Sequence, residues 1–397
     1  MKIIGIDEEQ EVKKRVLNHK KIVITVAAVV ITLALIVFYC IYLGNRGFRE
    51  FTDKYIFMKN VTENNLVSIA LEEGENNYVY GYDKYISVLS QNKLVGYNKL
   101  GNKEYELKVE VSSPIVDSNG RFLLIGEKES RRLYLISGNN IAWENQLEGN
   151  IARVSVNKNG YVSVILTGTT YKSIIQIFDN NGKELFKTYL SSTIAMDTDI
   201  SSDNKYLSFA EVGTNGTLVQ TIIKTISIQK AQEVPSESII HTVTIPGDKV
   251  PLNLKYQDGN RLICMFNNSI DLIKDDSYEE LYNLEENGKK ITYAGSELND
   301  SIFRVIEKNN LLSSETTIEI LNTGNKQSSI YVLDGTAKEV YCNNNTIALN
   351  LGTEVHFVGT NGWLMKKYIS NQDVKKIVSN GDFAGVIYKN KIEIVDL

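Results

Sequence analysis

The sequence has few of the residues that build most catalytic and metal centres. Its 397 residues include only three histidines, His19, His241 and His356. No two of them stand at metal-ligand spacing, and the sequence contains no HExxH, GxSxG or P-loop motif. His241 and His356 each stand alone in a strand-like run, which indicates structural histidines. We therefore predict no catalytic, cofactor-binding or metal-binding residue, and no cofactor.

Cysteine is also scarce, and the basic residues form no long cluster. Besides Cys40 there are two cysteines, Cys264 and Cys342. Both lie in apolar strand-like runs, so we favour small buried residues over a disulfide. The chain carries 48 acidic and 43 basic side chains, a net charge of −5, and no basic run stands out. The absence of a basic stripe argues against a nucleic-acid partner.

Two acidic pairs need an explanation, because paired carboxylates can serve acid–base catalysis. They are Asp197 with Asp199, and Asp275 with Asp276. Neither pair has a basic residue or a histidine as an evident companion in the sequence. We interpret both pairs as solvated loop charges.

One long apolar run stands near the N-terminus. Residues 22–43, which begin with Ile22 and end with Leu43, carry no charge. As a helix they span ~33 Å, enough for a hydrocarbon core of ~30 Å. The run exceeds the apolar region of a signal peptide, and no small-x-small cleavage site follows it. We therefore predict an uncleaved helix in the lipid bilayer.

The flanking charges predict its orientation. Six lysines and arginines precede the helix: Lys2, Lys13, Lys14, Arg15, Lys20 and Lys21. Basic residues next to a membrane helix favour the cytoplasmic side. We predict a cytoplasmic tail at residues 1–21, a single transmembrane helix at 22–43, a juxtamembrane linker at 44–60 and an extracytoplasmic domain at 61–397.

The rest of the chain has no helical periodicity and reads as short strands separated by Asn-Gly, Asp-Gly and Asn-Asn turns. A turn followed by an apolar strand recurs at intervals of roughly 40 residues. Eight copies of this element begin at Gly81, Ser118, Lys158, Ser202, Gln257, Leu298, Asn343 and Ser379. A strand, a glycine turn and another strand follow in the copies that begin at Leu94, Leu133, Ile175, Ile318 and Val355.

Four antiparallel strands per repeat predict an all-β fold, a β-propeller of four-stranded blades. We name the strands of each blade A to D, in chain order. Eight copies favour eight blades, with seven as the alternative. The last copy lacks a D strand, and the apolar residues 65–71, which precede the first copy, are expected to supply it and close the ring.

Two motifs resemble those of known propellers. The Gly182-Lys-Glu-Leu-Phe186 run and the Gly138-x-x-x-x-Trp143 run resemble the blades of quinoprotein (PQQ-like) propellers and WD40-like repeats. With its N-terminal anchor, the whole chain resembles an uncharacterised family of membrane-anchored propeller proteins of clostridial type. This resemblance implies a fold and a location, and it implies no activity.

Two classes of function are consistent with this organisation. The first is a binding or scaffolding module at the cell envelope, whose partner is a protein, peptide or glycan. The second is an extracytoplasmic enzyme, hydrolase or quinoprotein-like, and carboxylates converging on the central channel would favour it. For the first class we expect the varied B–C loops to bind the partner. The candidate residues in these loops are Arg131, Arg132, Tyr171, Leu311 and Leu312.

Overall fold

The computed structural model describes residues 19–62, 66–72, 77–90, 92–213, 219–309 and 313–397. The chain divides into two units, residues 1–59 and residues 60–397. The first unit contains helix α1 (His19–Gly44) and helix α2 (Arg46–Tyr55). Within the described residues, one segment, Val23–Gly44, is long and apolar enough to cross a membrane. By length and composition it could serve as a membrane anchor or as a signal sequence.

The segment expected to be a linker thus contains a second helix, which contacts the first through polar side chains. The Asn45 side chain caps α2 by accepting a hydrogen bond from the backbone N–H of Phe48 at 2.9 Å. Arg49 Nη2 donates to the Leu43 carbonyl at 2.6 Å, and so satisfies one of the carbonyls that the end of α1 leaves unpaired. The buried Asp53 accepts a hydrogen bond from the Tyr42 hydroxyl at 2.7 Å.

The second unit is a β-propeller of eight blades, as the repeat predicts. In seven blades the four strands are consecutive and antiparallel. The blades are: blade 1, β3 (Tyr78–Tyr82), β4 (Tyr85–Leu89), β5 (Lys93–Tyr97), β6 (Lys103–Lys108); blade 2, β7 (Pro114–Asn119), β8 (Phe122–Glu127), β9 (Arg132–Ser137), β10 (Asn140–Gln146); blade 3, β11 (Asn150–Val156), β12 (Val162–Thr167), β13 (Ser173–Phe178), β14 (Glu184–Leu190); blade 4, β15 (Thr193–Ile200), β16 (Tyr206–Gly213), β17 (Gln220–Ser227), β18 (Ile239–Ile245); blade 5, β19 (Pro251–Gln257), β20 (Arg261–Phe266), β21 (Ser269–Lys274), β22 (Ser277–Asn283); blade 6, β23 (Lys290–Gly295), β24 (Ser301–Asn309), β25 (Ser314–Asn322), β26 (Ser328–Asp334); blade 7, β27 (Glu339–Asn343), β28 (Thr346–Asn350), β29 (Glu354–Gly359), β30 (Leu364–Ile369); and the three C-terminal strands of blade 8, β31 (Lys376–Ser379), β32 (Phe383–Ile387), β33 (Lys391–Asp396).

The ring closes at the predicted place. Strand β2 (Val67–Ala70) lies antiparallel to β33 and supplies the D strand of blade 8. A shorter strand, β1 (Asn60–Thr62), adds a fifth strand to blade 7 by pairing in parallel with β30, which the sequence did not predict. The start of this unit therefore pairs with the last two blades.

Burial on both faces explains why the B and C strands read as continuous apolar runs. Leu123, Leu124 and Ile125 of β8 are consecutive and fully buried, although successive side chains point to opposite faces of the sheet. Each sheet packs between two neighbouring blades, so neither face of an inner strand meets water. The interfaces between blades are the hydrophobic core; the one between blades 2 and 3 includes Leu124, Val164 and Phe178.

The A–B turns form a hydrogen-bonded ring on one face. The Asp83 N–H of blade 1 donates to the Gly120 carbonyl of blade 2 at 2.9 Å, and the Asn299 N–H of blade 6 donates to the Asn344 carbonyl of blade 7 at 2.9 Å. At the closure, a Cβ on Gly81 would lie 2.3 Å from the Ser379 carbonyl oxygen, so only glycine fits there. The opposite face carries the B–C loops and the connections between blades.

Candidate functional site

The innermost strands surround a polar cavity in the central channel. Strands β7, β11, β15 and β19 provide most of its wall, and its volume is about 290 Å³. Charged side chains from five successive blades line it: Asp117, Arg153, Asp197, Lys255 and Glu297. Cys342 of blade 7 lines it as well. Acidic and basic groups therefore share one small space.

The repeat explains why these charges meet. Gly160, Asn204 and Asn260 occupy equivalent A–B turn positions with positive φ. Five residues before each of them, the A strand places Ser155, Asp199 and Lys255; seven residues before, it places Arg153, Asp197 and Asn253. Because side chains alternate along a strand, both sets point to the same side of their strands, toward the channel.

The carboxylates connect A strands that do not pair with one another. Asp117 of blade 2 accepts a hydrogen bond from the Val156 N–H of blade 3 at 2.8 Å. Asp197 of blade 4 accepts one from the Leu254 N–H of blade 5 at 2.8 Å. These bonds satisfy strand N–H groups that have no ladder partner at the channel wall.

Asp199 makes the same kind of bridge on both of its sides. It accepts a hydrogen bond from the Tyr256 N–H of blade 5 at 2.7 Å and another from the Ser155 hydroxyl of blade 3 at 2.6 Å. Its side chain is buried, with 2% exposed. Asp199 thus links three successive blades.

Lys255 provides the positive charge at the centre of the cluster. Its Nζ lies 3.9 Å from Asp117 Oδ2 and 4.0 Å from Asp199 Oδ2, and 17% of its side chain is exposed. Burial opposes the charge of Lys255, but the surrounding carboxylates, Asp117 foremost, raise the pKa of its ammonium. Lys255 is therefore charged at neutral pH, close to Asp117 and Asp199 but beyond hydrogen-bond distance of either.

The titration of Asp197 is shifted toward neutral pH. Burial raises its pKa to about 7, against the hydrogen bonds that it accepts from the Leu254 and Thr198 backbones. Burial also raises the pKa of Asp199, against the attraction of Lys255. The charge of the cavity therefore changes near neutral pH.

One interpretation of acidic residues from the sequence was wrong, and another was right about the location but missed a companion. Asp197 and Asp199 belong to strand β15 and line or adjoin the channel, so they are not loop charges. Asp275 and Asp276 do lie in an exposed turn, but they have a histidine companion, since His241 of the neighbouring blade lies 3.4 Å from each. The tertiary fold, which brings blades 4 and 5 together, creates this contact.

The cysteines are unpaired, as expected, but only one is a core residue. Cys264 is fully buried in β20. Cys342 is partly buried at the cavity wall, where its thiol donates to Glu297 Oε2 at 3.6 Å. Within the described residues, no group of three or more His, Cys, Asp or Glu side chains could hold a metal ion.

Two of the predicted partner-binding residues lie in or beside the B–C loop of blade 2. Arg131 is exposed between β8 and β9. Arg132 begins β9 and forms an ion pair with Glu110 at 3.2 Å, so its charge is already paired within the chain. Arg131 is thus the residue of this loop that is better placed to contact a partner.

An exposed aromatic pair lies at the B–C face of blade 3. Tyr171 is 38% exposed and packs against Tyr189, which is 49% exposed, with ring centroids 4.8 Å apart. Leu311 and Leu312 lie outside the described residues. The described candidates therefore lie on the B–C face of neighbouring blades, and they are separate from the cavity residues in the channel.

The sequence reasoning missed Asp117, Lys255 and Glu297 as site residues. A signal for Lys255 was present, since an alignment of the repeats on their turn residues brings polar side chains into register on the A strands. Glu297 follows β23 and gives no such signal, because its position depends on how blade 6 meets blade 7.

Comparisons with known proteins agree with this fold. The C-terminal WD40 domain of Sif2 superposes with a TM-score of 0.54 at 12% identity, covering 83% of this chain and 99% of that domain. BamB from Moraxella catarrhalis superposes with a TM-score of 0.44 at 13% identity, covering 84% of this chain and 99% of BamB. No curated protein matches the sequence. A family model described as a family of unknown function, DUF5711, matches residues 58–397. The prediction of an uncharacterised propeller family with WD40-like blades is confirmed.

Proposed function

The chain belongs to the DUF5711 family of unknown function, and we propose that it is a binding module that its N-terminal helix anchors in a membrane, with the propeller on the extracytoplasmic side. The partner is an envelope protein, peptide or glycan that binds the B–C face. The exposed Tyr171–Tyr189 pair carries this proposal. Exposed, mutually supported aromatic rings are the residue type that dominates binding energy at interfaces.

The contrast between the two faces of the propeller supports the choice of surface. The A–B turns are short and hydrogen-bonded to one another. The strands that lead into the B–C loops vary instead, from five residues each in blade 1 to eight in blade 4 and nine in blade 6. Variable loops on a rigid repeated scaffold are where recognition concentrates.

Anchoring is tested on the full chain expressed in a bacterial host. A reporter fused after Leu397 that is active only outside the cytoplasm should give signal, and the protein should stay in the membrane pellet after alkaline carbonate extraction. The reason is the uncharged helix Val23–Gly44, preceded by basic residues. Release of a soluble protein whose N-terminus lies just after this helix would show a cleaved signal sequence and contradict the anchor.

Partner binding is tested by crosslinking in cells, with a matched control. We expect Tyr171→Ala, alone or with Arg131→Ala, to reduce the crosslinked product at least tenfold. Tyr278→Ala is the control, because Tyr278 is also 38% exposed but lies beside the C–D turn of blade 5, on the opposite face. Equal loss in both variants, or no loss in the first, would exclude the B–C face as the binding surface.

The alternative function is an extracytoplasmic enzyme, and one observation favours it. Carboxylates do converge on the channel, and a carboxyl group such as Asp197, with a pKa of about 7, is suited to general acid–base catalysis. The hydrogen bonds from Asp117, Asp197 and Asp199 to neighbouring strands account for the same carboxylates structurally. We therefore place the binding module first.

A further inference from the structure

Among the described residues, the charged groups of the channel include both hydrogen-bond donors and acceptors that have no partner. Within the described residues, Lys255 makes no hydrogen bond, since its nearest acceptors are the carboxylate oxygens at 3.9 and 4.0 Å. An ammonium has three donors, and hydrogen bonds to oxygen require roughly 2.7–3.2 Å. Arg153, which is exposed at the same wall, likewise makes no hydrogen bond with described residues. Both cations can therefore donate to a ligand.

Acceptors remain at the wall of the same cavity. Asp117 receives its hydrogen bond on Oδ2, and its Oδ1 accepts none from the described residues. Glu297 receives hydrogen bonds from the Ser296 N–H and the Cys342 thiol on Oε2, and its Oε1 accepts none from the part of the chain that the structure describes. Two carboxylate oxygens, from blades 2 and 6, are thus available to a donor.

This mixture of charges discriminates between classes of ligand. A simple anion would be attracted by Lys255 and Arg153 but repelled by the carboxylates. A simple cation would be attracted by the carboxylates but repelled by Lys255 and Arg153. A molecule that carries both an ammonium and a carboxylate can satisfy both sets, and its net charge of zero avoids the repulsion.

The size and the apolar part of the wall narrow the class further. A volume of about 290 Å³ suits a small molecule, at the lower end of ligand pockets. Ile115, Val154 and Leu252 line the same cavity and offer a short apolar side chain a surface to contact. We propose that the central channel binds a small zwitterion, a free amino acid or dipeptide, with its carboxylate at Lys255 and Arg153 and its ammonium at Asp117 and Glu297. This site is distinct from the partner surface on the B–C face.

The test uses the full chain in detergent and calorimetric titration with L-alanine and L-alanyl-L-alanine. At least one of the two should bind. For the one that binds, N-acetylation, which removes the ammonium, and amidation, which removes the carboxylate, should each weaken binding at least tenfold. A blocked analogue that binds as tightly as its parent would overturn the proposal, as would no binding of either parent at 10 mM, taken as an order-of-magnitude ceiling for a specific small ligand.

Variants assign the binding to the channel. Lys255→Gln should weaken binding of the parent ligand at least tenfold. Lys187→Gln is the matched control, because Lys187 is 19% exposed on the outer strand β14, where it pairs with Glu148 and Glu184. If Lys255→Gln fails to fold, Arg153→Gln, at an exposed position, makes the same test. Unchanged binding in the folded channel variant, or equal loss in the control, would overturn the assignment.

Discussion

Side chains, and not a backbone ladder, join the innermost strands of neighbouring blades. Within a blade the A strand pairs with B, but A strands of adjacent blades do not pair with one another, so N–H groups on their channel edges have no ladder partner. Asp117, Asp197 and Asp199 accept hydrogen bonds from these groups. These hydrogen bonds offset part of the cost of burying a carboxylate, although burial still raises the pKa of Asp197 and Asp199.

Asp197 makes stability depend on pH in a predictable direction. Its folded pKa of about 7 lies above its ordinary value of 3.8, so the folded state binds more protons between these values. The contribution of Asp197 to stability is therefore fully present below about pH 4 and is lost as pH rises through 7. Asp197→Asn keeps an acceptor for Leu254 and removes the titration, so we expect the variant to gain stability relative to the parent as pH rises.

The measurement is urea unfolding at several pH values from 4.5 to 8. The gain at pH 8 relative to pH 4.5 should reach about 3 kcal/mol, since each pH unit between 4.5 and the folded pKa corresponds to ~1.4 kcal/mol. Asp396→Asn serves as the control at an exposed position on the last strand. A parallel pH profile for parent and Asp197→Asn would show that Asp197 titrates as an ordinary carboxyl group.

Individual strands contribute unequally to the stability of the propeller, and closure of the ring depends on β2. It covers the edge of β33, and its Ile69 side chain, 5% exposed, packs into the core between blades 8 and 1. Val67 on the same strand is 37% exposed. The two residues share the strand and its hydrogen bonds but differ in burial.

We expect Ile69→Ala to lower the free energy of unfolding by roughly 2–4 kcal/mol, because it removes buried methyl groups and leaves a cavity. Val67→Ala should cost less than about 1 kcal/mol. Urea unfolding of the detergent-solubilised chain gives both values. Similar costs for the two substitutions would mean that β2 is not packed against the propeller core.

At the scale of the whole molecule, closure should make the eight blades unfold together. Each blade buries its faces against two neighbours, so unfolding one blade exposes the core residues of the blades on both sides of it. The two tryptophans are convenient reporters: Trp143 is 9% exposed in β10 of blade 2, and Trp363 is 41% exposed in the C–D turn of blade 7. They report on separate parts of the ring.

Deleting residues 60–75 removes β1 and β2 and exposes the edge of β33. The Trp143→Phe chain reports through Trp363, and the Trp363→Phe chain reports through Trp143. We expect the fluorescence of the two chains to give the same unfolding midpoint. The deletion should lower both midpoints equally. A lower midpoint at Trp363 alone would show that blades 7 and 8 unfold separately. A deletion chain that melts like the intact one would place the seam elsewhere.

The sequence by itself predicted the four-stranded blades and the closing strand, and it favoured eight blades over seven. These features are local or repetitive: turns with positive φ favour Gly, Asn and Asp, fully buried strands need apolar runs, and a repeat shows its own period. Only the tertiary structure decided which charges meet. Asp199 and Lys255 occupy equivalent positions in different repeats, but aligning the repeats does not show that the two side chains meet. His241 and Asp275 belong to different blades, and no pattern in the sequence relates them. Closing the ring places the A strands around one axis, and this arrangement turned residues interpreted as loop charges into the wall of a cavity.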